Sequence, residues 1–87
     1  MPGAPDPRLN LALTLERAGR TKEALDTYRT ALEVHPGHIR SMEAIARLRA
    51  RAGTLDDTAY EYLREIALRG ESEPWRAWAR SRLAARP

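Results

Sequence analysis

The sequence predicts an all-α fold: an α-α superhelix of antiparallel helix-turn-helix repeats, with about two repeats and a C-terminal capping helix, five helices in all. Three observations predict it. Residues of like character recur 34 apart, as in Gly19 and Gly53, Leu11 and Ile45, Ala12 and Ala46, Tyr28 and Tyr62, and Leu32 and Ile66. A fixed period of this size marks a supersecondary unit that cannot bury its apolar face alone and stacks on its neighbour. Within each segment apolar residues recur at helical spacing, and no segment alternates with a period of two. Glycine and proline divide the segments at short intervals, which makes consecutive helices antiparallel neighbours.

The first helix is expected from about Pro7 to Ala18. Asp6 serves as its N-cap, Pro7 occupies its first turn and Gly19 stops it. Leu11, Leu15 and Ala18 form a stripe expected to pack on the second helix. Thr21 is expected to cap that second helix, with Glu23 near its positive end. Ala24, Leu25, Tyr28, Ala31 and Leu32 make its apolar stripe, and His35-Pro36-Gly37 ends it, because the residue before a proline leaves the helical region. The third helix runs from His38 or Ile39 to Ala52 on Met42, Ile45, Ala46, Leu48 and Ala52, with Gly53 as its stop. Asp56 or Asp57 caps the fourth, which carries Leu55, Ala59, Tyr62, Leu63 and Ile66 and ends at Gly70. Ser72-Glu73-Pro74 opens the fifth, holding Trp75, Trp78, Ala79 and Leu83.

At 87 residues this is one small domain, and its thin core buries only roughly 60–65% of the surface its unfolded chain exposes. Residues 1–5 are Pro/Gly-rich and expected to be disordered. Residues 6–87 form the domain, with repeat one at about 6–37, repeat two at about 38–70 and the terminal helix at about 73–86. The absence of cysteine excludes disulfides and thiolate metal sites. No stretch approaches the ~18 apolar residues of a membrane span, and Met1–Pro7 is no signal peptide, so a cytoplasmic location is expected. Arginine outnumbers lysine 14 to 1, a bias expected of a GC-rich bacterial genome. The net charge of +3 is small, and its surplus sits in the last segment.

The run Leu11-Ala12, Leu15, Gly19, Ala24, Tyr28, Ala31 and Pro36 resembles the tetratricopeptide repeat family, with an aliphatic Leu15 in place of the usual aromatic and Arg8 where tryptophan is often seen. A second unit resembles it through Ile45, Ala46, Gly53 and Tyr62. Arg49 stands there for the large apolar residue, Thr58 and Glu65 for the alanines, and Gly70 for the proline. Trp75, Trp78 and Ala79 suit the first helix of a third unit if the second is 33 residues long. Ala12, Ala24 and Ala46 are small where antiparallel helices approach most closely, and Tyr28 and Tyr62 are expected to fill the gap beside them.

The resemblance implies a protein–protein interaction scaffold that binds a partner peptide or helix in a concave groove, without catalysis. The side of the first helix holding Leu9 and Leu13 would line that groove. Arg17, Arg40, Glu43, Arg47 and Arg51 would form a largely basic wall suited to an acidic or amphipathic peptide. Trp75 and Trp78, three apart on one helix face, either pack in the core or form an exposed interface. A homo-oligomeric module using the apolar face of the first or last helix is the alternative. A weakly basic nucleic-acid-associated protein is a further one, and the least favoured. His35 and His38 have no third ligand at useful spacing, and no nucleophile elbow, phosphate loop or HExxH is present, so no metal, cofactor or enzymatic activity is expected.

Overall fold

The computed structural model describes residues 7–87, so the expected disorder of residues 1–5 and the Asp6 cap lie outside the described residues. Five helices and no strand occur among them: α1 (Pro7–Arg17), α2 (Thr21–Val34), α3 (Ile39–Ala52), α4 (Asp57–Arg69) and α5 (Glu73–Ala84). Each helix packs chiefly on its neighbours in sequence, α1 with α2, α3 with α4, and α5 closing on α4.

The period is visible in the turns. Gly19 and Gly53 both adopt left-handed backbone, at φ 78° and 70°. In each turn the following amide reaches back to the carbonyl five residues earlier, Arg20 to Leu15 at 2.8 Å and Thr54 to Arg49 at 2.9 Å. Two helix ends are thus satisfied by one Schellman-type turn repeated 34 residues on. The small residues also hold their places. Ala12, Ala24 and Ala46 are fully buried, and the core continues through Tyr28, Leu32, Met42, Ile45, Leu48, Leu63, Ile66 and Ala79.

The second unit differs from the register expected of it. Its buried residues are Ala59, Leu63 and Ile66, each 35 and not 34 positions after the buried Ala24, Tyr28 and Ala31. The connection from α3 to α4, residues 53–56, is one residue longer than that from α1 to α2, residues 18–20. The extra residue turns α4 by about 100° in sequence register. Ala59 and Ile66 therefore take the places of the alanines, and Leu63 that of Tyr28. Thr58 is exposed and Glu65 half-buried, while Tyr62 packs against the edge of the core without being fully buried.

Three local expectations also change. Thr21 is the first helical residue and not a cap. Arg20 precedes the helix without a side-chain cap, and its Nε donates to Glu23 at 2.8 Å. Leu55 stands in the turn before α4, though it packs against the core. Leu11 does not pack down on α2: the buried side of α1 centres on Ala12, flanked by Leu9 and Leu15, while Leu11 is 53% exposed and Ala18 is exposed. At about 100° per residue, Leu11 and Leu13 fall on opposite shoulders of that buried side.

Asp56 and Ser72 cap their helices. The Asp56 carboxylate accepts from the Ala59 amide at 2.8 Å, and the Ser72 hydroxyl from the Trp75 amide at 3.4 Å. Gly70 makes a close approach: a Cβ there would lie 2.6 Å from the Ile66 carbonyl oxygen.

Candidate functional site

Helices α1 and α3 open the two units and α5 follows as the terminal helix; α3 is linked to α1 through Arg47 and Glu16, and borders a cavity with α5. Leu9, Leu13 and Arg17 on α1 correspond, 34 residues on, to Glu43, Arg47 and Arg51 on α3. Leu13 is 43% exposed, whereas Leu9 is half-buried against the core. Arg17 and Arg51 are exposed and form no ion pair among the described residues.

The other two arginines of the expected wall, Arg47 and Arg40, are held by the carboxylates of Glu16 and Glu71. The Arg47 guanidinium donates to Glu16 Oε1 at 2.8 Å, which ties α3 to α1. The other oxygen of Glu16 accepts from the buried Tyr28 hydroxyl, so one carboxylate joins three helices. Burial, then the hydrogen bond to Glu16, hold the Tyr28 phenol in its protonated form well above its ordinary range. Arg40 donates to Glu71 at 2.6 Å. Glu43, expected on the groove wall, is 3% exposed, and its Oε2 accepts from the Glu71 amide at 3.1 Å, holding the connection between α4 and α5. Burial raises the Glu43 carboxyl above its usual range, and the hydrogen bond from Glu71 opposes the shift. The spacing held a signal for Glu16: it lies four residues after the buried Ala12, hence on the inward side of α1.

Trp75 and Trp78 are neither fully buried nor fully exposed. Their rings meet edge to face, 5.4 Å apart at 87°, and both pack against the core while remaining partly exposed. They line a cavity of about 310 Å³ with Arg47, Ser72 and Pro74, set between α3 and α5. A second cavity, of about 350 Å³, lies between Glu16, Thr21, Leu48, Arg51 and Ala52. Arg47 and Arg51, one helical turn apart on α3, thus border the two cavities. This surface offers an aromatic socket, an exposed leucine and two unpaired guanidiniums.

Among the described residues no three His, Asp or Glu side chains gather as a metal site, and no helix is long and apolar enough to cross a membrane. His38 Nδ1 and the buried Ser41 hydroxyl share a hydrogen bond of 2.8 Å at the start of α3.

A tetratricopeptide repeat family model matches residues 5–48, half of the chain. The chain belongs to the tetratricopeptide repeat family. The match spans the first repeat and ends at Leu48, inside α3, before the longer turn that shifts the register of α4. No curated protein and no solved structure matches the chain. Tetratricopeptide repeats generally act as non-catalytic scaffolds that mediate protein–protein interaction.

Proposed function

We propose that this tetratricopeptide chain binds a partner peptide across the face formed by α1, α3 and α5, without chemistry of its own. The observation that carries this reading is the cavity between α3 and α5, where Trp75 and Trp78 form an aromatic socket beside Arg47. Tryptophan and arginine at a partly open cavity are the side chains that contribute most to binding energy when covered. The peptide suited to this surface is amphipathic: an apolar side chain enters the socket, and an acidic one reaches Arg51 or Arg17. Arg40 and Arg47 contribute less charge than the sequence implies, because Glu71 and Glu16 already neutralise them.

Selection from a random peptide display library tests this. Peptides pairing a large apolar residue with an acidic one should be enriched, and Trp78→Ala and Arg51→Glu should each weaken the selected peptides at least about tenfold. Enrichment that survives both substitutions would refute the assignment. Arg47→Glu is a poor probe, because it would set two carboxylates together beside Glu16.

A second reading, self-association through α1, is favoured by one comparison. Leu11 is 53% exposed while its counterpart Ile45, which the first repeat covers, is 3% exposed. The Leu11 side of α1 therefore offers an apolar surface on which a second copy of the chain would stack. Sedimentation velocity over a concentration series should show an oligomer that Leu11→Asp dissolves, and a monomer at every concentration would remove this reading.

A further inference from the structure

We propose a second binding site, for an oxyanion carried as a phosphate or carboxylate group, in the cavity enclosed by α2, α3 and α4. It is lined by Arg29 from α2, Ile45 and Arg49 from α3, and Asp56, Thr58, Ala59 and Tyr62 around the start of α4. Arg49 and Arg47 lie about 160° apart around α3, so this site is separate from the peptide surface and does not depend on it.

The case starts from Arg49. It is the counterpart of Leu15, which packs against the core, and the family places a large apolar residue there. Arg49 is half-buried beside the buried Ile45 and Ala59, yet its guanidinium makes no ion pair or hydrogen bond among the described residues. Partial burial of an unpaired cation costs free energy that a bound anion offsets.

The rest of the lining fits that reading. Arg29 already lines the cavity, and its one ion pair among the described residues is a long one, to Asp26 at 3.5 Å on its own helix. The Thr58 and Tyr62 hydroxyls make no hydrogen bond among the described residues, and both are available as donors. Burial pushes the Tyr62 phenol up, and the nearby Arg29 charge opposes the shift. One acid is present: Asp56 opposes an anion, but its Oδ1 is engaged by the Ala59 amide as the cap of α4. Two guanidiniums against one committed carboxylate leave the cavity net positive.

The one-residue lengthening of the α3–α4 turn creates this arrangement. It moves Thr58 and Tyr62 off the fully buried positions and into the lining, with Tyr62 still packed against the edge of the core. The cavity measures about 220 Å³, the volume of about seven waters, which admits an oxyanion with part of its hydration. It adjoins a furrow of about 440 Å³ that shares Arg29, Thr58 and Tyr62 and continues past Leu32, Glu33 and Pro36. A phosphate or carboxylate bound at Arg49 can therefore belong to a larger molecule lying in the furrow.

The test is an NMR titration of the full chain with inorganic phosphate and, in parallel, acetate, at constant ionic strength set by chloride. Saturable shifts at the Arg29 and Arg49 Nε–H groups and at the Thr58 and Ala59 amides are expected with at least one of the two. The preferred anion shows whether the group bound is a phosphate or a carboxylate. Arg49→Leu, which restores the residue type of the first repeat and should fold at least as well, should weaken that binding about tenfold. Arg29→Gln should weaken it as well, whereas Lys22→Ala should not. Absence of saturable shifts with both anions, or shifts unaltered in Arg49→Leu, would overturn the proposal.

Discussion

The Glu16 carboxylate accepts from Tyr28 on α2 and from Arg47 on α3, so two of its bonds fasten α1 to both of the helices that follow. A hydrogen bond to a charged group is worth about 2 kcal/mol. Tyr28→Phe, which removes only the hydroxyl, should lower the urea-derived stability by that amount. Glu43 carries a different signature. Its folded-state carboxyl is raised by burial, so its contribution to stability is most favourable below the unfolded-state value of about 4.3 and is lost as pH rises through the folded value. Glu43→Gln keeps an oxygen to accept from the Glu71 amide and removes the buried charge. Its melting temperature should exceed the parent's at neutral pH, and the gain should shrink toward zero as pH falls below the folded value. Thermal melts at several pH values check this, and a gain independent of pH would contradict the assignment.

Among the elements, the turns carry most of what makes this a repeat. Gly53, at φ 70°, is a position where a side chain costs about 1 kcal/mol, and Gly53→Ala should lose that much in denaturant unfolding. Asp56→Ala removes the cap of α4 at a similar cost of about 1 kcal/mol. All five helices and both glycine stops were legible in the sequence, because apolar spacing and turn chemistry are local signals. The register of α4 was not. The 34-residue alignment pairs Tyr28 with Tyr62 by identity, but packing pairs it with Leu63, since the longer turn rotates the helix. Charge partners were equally hidden. Arg40 and Glu71 are 31 residues apart, as are Glu16 and Arg47, and nothing local announces such pairs. The basic wall expected from Arg40 and Arg47 is consequently half neutralised, and Glu43 is buried where an exposed acid was expected.

At the scale of the molecule, each helix rests mainly on its sequence neighbours, so stability is a sum of near-neighbour contacts and is lowest at the ends. Native-state hydrogen exchange should find the amides of α1 and α5 opening before those of α2, α3 and α4; a single uniform opening free energy would contradict this. The two ends differ in what they expose. At the first, Leu11 lies uncovered; at the last, Trp75 and Trp78 are half-covered and frame a cavity with Arg47. The chain contains only these two tryptophans, so their indole signals report on that socket alone. The most direct measurement is a two-dimensional amide and indole NMR spectrum of the chain with and without a display-selected peptide. Both indole N–H signals should shift together with amides around Leu13, Arg47 and Arg51. Shifts confined to α2 and α4, with both indole signals unmoved, would contradict this.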